Sequence, residues 1–110
     1  MYDLIRTDSF DEQLREIIFR IADNYGNEKA LKILGEIENS IADLSSFPKS
    51  GVDPKYNVLK RNGFKVLILK KNLVFYKINE EEHRVIIEAI TDFRRDYARI
   101  VLGRSDYSPE

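Results

Sequence analysis

Six side chains in the C-terminal half have the types and spacing for phosphate chemistry. Lys60 and Arg61 stand just before Asn62-Gly63, Lys65 just after it, and Arg94, Arg95 and Tyr97 near the end of the chain. Brought to one end or face of a sheet, they suit cleavage of an RNA phosphodiester, in which the 2′-OH attacks the adjacent phosphate and negative charge builds on the phosphorane oxygens. Arginine clamps that charge through two parallel N–H bonds, and a lysine crowded by other cations can be pushed far enough down in pKa to move protons. Tyr97 would stack on a base or serve as a weak acid–base group, with Lys60 as a further RNA contact. A structural role competes, in which Arg95 and Tyr97 only pin a last helix to the sheet. On the residues alone that reading ranks first.

Other chemistries find little support. His83 is the only histidine, and it follows Glu80-Glu81-Glu82 in what reads as a solvated turn. With no cysteine and one histidine, a Cys/His zinc site is excluded and a Ser-His-Asp triad is improbable. Adjacent carboxylates point in different directions, so Glu80 to Glu82 form no enclosing cation site. The glycines are isolated, which removes a phosphate-cradling loop. No metal and no cofactor are expected.

The formal net charge of -1 hides a strong asymmetry. Residues 1–48 carry 5 Lys+Arg against 10 Asp+Glu, residues 49–104 carry 13 against 7, and residues 105–110 carry only 2 acids. A basic half on a near-neutral chain suits an anionic partner or, equally, a sheet edge protected by lysines. At 110 residues the chain is long enough for one core. It has no apolar run of the roughly 20 residues that span a bilayer, and Met1-Tyr2-Asp3-Leu4 lacks the basic and apolar regions expected of a secretory leader. Cytoplasm is the expected compartment.

The elements that must position these groups are legible in outline. Tyr2 to Thr7 alternates as a strand toward a sheet edge. Ser9-Phe10-Asp11-Glu12 matches a capping box, after which Phe10, Leu14, Ile17, Ile18, Ile21 and Tyr25 form one helical stripe ending at Gly26 in a left-handed conformation. Asn27 is placed to cap a second helix, with Ala30, Leu34, Ile37, Ile41 and Leu44 as its apolar positions. Only Gly26-Asn27 separates the two, so they should fold back as a hairpin against the sheet. Pro48 to Asn57 reads as a loop. Strands are expected at 58–61, 64–70, 73–78 and 84–90 as an antiparallel meander, the first pair joined by a type I′ turn at Asn62-Gly63. Val66 to Leu69, apolar on both faces, should lie centrally. A last helix from about Asp92 to Val101 would cover the second face through Phe93, Tyr97 and Ile100.

In order and spacing these segments resemble the RelE/ParE family of bacterial type II toxins, which includes proteins labelled plasmid stabilisation factors. The resemblance spans nearly the whole chain. It rests on the opening strand, the helix hairpin, the exit Phe47-Pro48-Lys49-Ser50-Gly51, the strand Gly63-Phe64-Lys65-Val66-Leu67, and the closing Ile87-Glu88-Ala89-Ile90-Thr91-Asp92-Phe93-Arg94-Arg95-Asp96-Tyr97. It implies a compact α+β toxin domain over residues 1–102, a polar tail over 103–110, and a cognate antitoxin that neutralises the toxin. It also implies one of two activities. RelE-like members cut mRNA on the ribosome with basic side chains, whereas ParE-like members bind and stall DNA gyrase without hydrolysis. A degenerate member would keep only antitoxin binding.

Under the RelE-like pattern, Arg61 falls at the basic position before the turn and Lys65 at the arginine of a Gly-Tyr-Arg segment. Arg94 or Arg95 falls at the basic position after the last strand, and Tyr97 at the terminal aromatic. The cluster makes a ribosome-dependent mRNA endoribonuclease the leading expectation and a gyrase inhibitor the alternative. Asp92 stands where relatives often have histidine, Lys65 replaces an arginine, and the sequence pI is near 5.9. Those departures weigh toward a ParE-like or attenuated protein.

Overall fold

The computed structural model describes residues 1–92, and its architecture is α+β. β1 (Asp3–Arg6) leads into α1 (Asp8–Tyr25), and α2 (Asn27–Ala42) continues through a 3-10 turn at Asp43–Ser45. A loop then reaches the short α3 (Asn57–Arg61), followed by β2 (Lys65–Ile68), β3 (Asn72–Asn79) and β4 (Arg84–Asp92). The sheet order is β1-β4-β3-β2, with β1 parallel to β4 and the other pairs antiparallel. Among the described residues no helix is long and apolar enough to cross a membrane.

The helix hairpin forms for the reasons its spacing dictates. Phe10 and Leu14 of α1 meet Ala30, Ile37 and Ile41 of α2 as buried residues. All but Ala30 join Val74, Tyr76, Val85, Ile87 and Ile90 in a core between the helices and one sheet face. The start of α1 differs from the expectation. Thr7, not Ser9, is the N-cap: its Oγ1 accepts from Phe10 N at 3.0 Å and donates to Glu88 O at 2.9 Å. Glu88 is the extra residue of a β-bulge, since Tyr76 pairs with Ile87 while Phe75 pairs with Ala89. Gln13 Oε1 accepts from Ile90 N at 3.0 Å. The first turns of α1 thus take over the edge of β4 where β1 has ended. Gly26 has φ 95 and ψ 161, outside the left-handed helical well, and serves both as C-cap of α1 and N-cap of α2, which leaves Asn27 as the first residue of α2.

Two expectations about the sheet are corrected. Residues 57–61 are helical, and Asn62-Gly63 closes that helix instead of a hairpin. Asn62 has φ -86 and Gly63 φ 85, with Gly63 N bonded to Lys60 O and Phe64 N to Leu59 O, both at 3.1 Å. These two bonds, with positive φ only at the glycine, define a Schellman cap; a type I′ turn needs positive φ at Asn62 as well. Phe64 packs with Leu59 in a second core with Val66, Leu73, Phe75 and Ala89. β2 is therefore an edge strand, with Ile68 58% exposed, and its two-sided apolarity reflects cover from the 56–64 segment instead of a central place. The expected last helix lies outside the described residues except for Asp92, which ends β4.

The N-terminus is tied to the β3–β4 turn. His83, exposed and at φ 57, stacks on Tyr2 with ring centroids 4.2 Å apart, and Asp3 N donates to His83 O. Tyr2 Oη donates to Glu80 Oε1, and Lys49 Nζ lies 3.6 Å from Glu80 Oε2. The Tyr2 bond first, then Lys49, holds the Glu80 carboxyl below its ordinary value. A depressed folded-state value contributes stability above the unfolded carboxylate pKa and loses it as pH falls through the folded value. Acidification into that range should lower the exchange protection of the Asp3 amide in the wild type and leave it level in Glu80→Gln. Parallel curves for the two proteins would show that Glu80 does not hold this end.

Candidate nucleic-acid interface

The basic site is built where the loop after α2 meets the edge of the sheet. Tyr76, fully buried, donates its Oη to Pro48 O at 2.7 Å and accepts from Gly51 N at 3.0 Å. Burial raises the Tyr76 pKa, with the Gly51 bond opposing it, so the phenol stays neutral and able to donate. Val52 then pairs with Val66 through Val52 N to Val66 O at 2.9 Å and Val66 N to Val52 O at 2.8 Å. In an antiparallel bridge the next residue along the loop, Asp53, faces the residue before Val66, which is Lys65. Register alone sets this pair.

Asp53 Oδ1 lies 3.7 Å from Lys65 Nζ, and its Oδ2 lies 3.7 Å from Lys60 Nζ. Lys60 and Arg61 occupy the last turn of α3, where the helix dipole favours cations. Lys60 is thus at the end of a helix and not of a strand, and the cap at Asn62-Gly63 turns the chain back so that Lys65 reaches the same carboxylate. The Lys60, Lys65 and Asp53 side chains are 60%, 30% and 57% exposed, so each ion pair is weak and easily exchanged, contributing about 0–1 kcal/mol. Lys77 Nζ lies 4.5 Å from the centre of the Phe64 ring. Arg61 is exposed on the same short helix.

Of the residues proposed from sequence, Lys60 and Lys65 converge, and Arg61 stands next to Lys60. Arg94, Arg95 and Tyr97 lie outside the described residues. Sequence reasoning did not find Asp53 or the Tyr76–Gly51 lock. The exit motif at Pro48 to Gly51 was the available signal for the lock. Nothing local marks Asp53, whose place depends on a long-range bridge. His83 belongs to the N-terminal tie, and among the described residues no group of three or more metal-ligating side chains forms.

A groove of about 1300 Å³ lies between the helix hairpin and the β2–β3 turn. Its lining includes Ile37 and Leu69 and four lysines, Lys29, Lys32, Lys70 and Lys71, against two glutamates.

A comparison with curated proteins found no match. Among solved structures, the chain resembles one from the chromosomal ParDE toxin–antitoxin system of P. aeruginosa, at 20% identity and a TM-score of 0.70, covering 84% of this chain and 96% of that one. It also resembles one from the RelBE2 toxin–antitoxin complex of Mycobacterium tuberculosis, at 18% identity and a TM-score of 0.59, covering 83% and 96%. These identities show a shared fold. A family model, described as the ParE toxin of the type II toxin–antitoxin system parDE, matches residues 4–97. With the helix hairpin, the basic-edged sheet and all but the first residue of the opening strand inside that span, the chain belongs to the ParE toxin family of type II toxin–antitoxin systems.

Proposed function

We propose that this toxin arrests growth by binding and cutting mRNA on the ribosome. The reading is carried by Lys60 and Lys65, which come from two different elements and bring their ammonium groups to one anion position. Lys65, set against Asp53 by the Val52–Val66 bridge, and Lys60, in the last turn of α3, supply two cations beside one position, the kind of charge that stabilises a phosphorane. Arg61 extends the cationic surface, and Arg94, Arg95 and Tyr97 complete the proposed set. A ribosomal target places the protein in the cytoplasm. The test is RNA cleavage after expression without a partner, compared with a Lys60→Ala/Lys65→Ala variant.

Inhibition of DNA gyrase is the second reading, and Asp92 favours it. An acidic side chain at the end of β4 repels phosphate and cannot serve as a cationic acid where relatives carry histidine. A supercoiling assay with purified gyrase separates the two readings. Either toxin needs a neutralising antitoxin, and the groove with Lys29, Lys32, Lys70 and Lys71 suits an amphipathic segment with acidic residues beside its apolar face.

A further inference from the structure

We propose that Asp53 is a built-in stand-in for phosphate that tunes the affinity of the basic site for its anionic ligand. The inference deepens the reading of Lys60 and Lys65 as a phosphate-binding pair and rests on it. Each Asp53 oxygen faces a different lysine, Oδ1 toward Lys65 and Oδ2 toward Lys60, both at 3.7 Å. Two oxygens of one phosphate bridging the same ammonium groups would take this place. The carboxylate is held there by the backbone: the Val52–Val66 bridge sets Asp53 against Lys65, and Tyr76 Oη fastens the preceding Gly51. The side chain itself is half-exposed and its two ion pairs are long, so it yields to a stronger anion without moving the sheet.

The effect follows from Coulomb's law. With Asp53 in place, an incoming phosphate meets two lysines already neutralised in part, and a carboxylate that repels it until swung aside. Removing the charge while keeping the size frees both ammonium groups and ends the repulsion. Asp53 therefore lowers affinity and favours release, which suits a site that must let go of cleaved or scanned nucleic acid.

The test titrates the full chain and its Asp53→Asn variant with tripolyphosphate and with a labelled single-stranded RNA hexamer. Asp53→Asn should bind both about threefold to tenfold tighter at about 50 mM salt, with the gain shrinking at about 500 mM. Introduced into Lys60→Ala/Lys65→Ala, the same change should bring a clearly smaller gain, the part due to Asp53's own repulsion alone. Asp53→Ala is run alongside, so that loss of fold in one variant leaves the other to be read by its thermal transition. Unchanged or weaker binding in a folded variant would make Asp53 a brace of the loop and overturn the proposal, as would failure of tripolyphosphate to bind both the wild type and folded Asp53→Asn. Tripolyphosphate reads this device whether or not RNA is cut. A chain that binds it and cuts no mRNA leaves Asp53 in its role, and a cutting chain unmoved by Asp53→Asn removes that role alone.

Discussion

Phe10→Ala should lower the stability of this domain by about 3–5 kcal/mol, the cost of emptying a large aromatic site in a packed core. Phe10 is fully buried in the first turn of α1, among residues of both helices and of β3 and β4. Its ring also carries the Arg6 guanidinium, 4.9 Å from the ring centre. Arg6 in turn bonds Asp11 through Nε at 2.7 Å and Glu38 through Nη1 at 2.6 Å, joining β1, α1 and α2 at one point. Truncation leaves a cavity below and removes the ring face under the Arg6 guanidinium, which keeps its bonds to Asp11 and Glu38. Urea unfolding of Phe10→Ala against Phe19→Ala makes the comparison, since Phe19 is 62% exposed and its removal should cost little. A loss below about 1 kcal/mol for Phe10→Ala would mean that the core closes over the gap, contrary to this packing.

Gly51→Ala should be the most damaging single methyl in the loop, costing about 3 kcal/mol, near the upper end for overpacking. A Cβ at Gly51 would lie 2.5 Å from Tyr76 Oη and 2.7 Å from Val66 O. Neither atom can retreat cheaply. The hydroxyl is fixed by Pro48 O, and the carbonyl by Val52 N. The expected response is a shift of the loop that breaks the Val52–Val66 bridge and carries Asp53 away from its lysines. Part of the cost should disappear in a Tyr76→Phe background, because the nearest obstacle is then gone while Val66 O remains. Equal costs in the two backgrounds, measured by denaturant unfolding, would locate the clash elsewhere.

Patterns that depend on one period or one residue were readable from the chain. The α1 and α2 stripes and the edge position of β1 emerged from spacing, except that Tyr25, expected in the buried α1 stripe, is 69% exposed at the end of the helix. Asn62-Gly63 was ambiguous for a physical reason: a positive-φ glycine after a polar residue closes helices as well as hairpins, and only the hydrogen bonds from Gly63 and Phe64 decide. Val66 to Leu69 misled similarly, since its apolarity reports the cover over Val66 from the 56–64 segment and not centrality, Ile68 staying exposed at the edge. On the site side, Lys60, Arg61 and Lys65 were visible as a cluster of like charge. Asp53 was invisible, because its position against Lys65 comes from a bridge between segments distant in sequence.

The most direct measurement is a map of RNA 5′ ends shortly after expression of this chain without an antitoxin, beside Lys60→Ala/Lys65→Ala and Arg94→Ala/Arg95→Ala variants shown to be folded. Cleavage by the basic site predicts new cuts within translated codons for the wild type and their absence in both variants. Growth arrest without new cuts, or cuts that persist in the folded Lys60→Ala/Lys65→Ala variant, would contradict it.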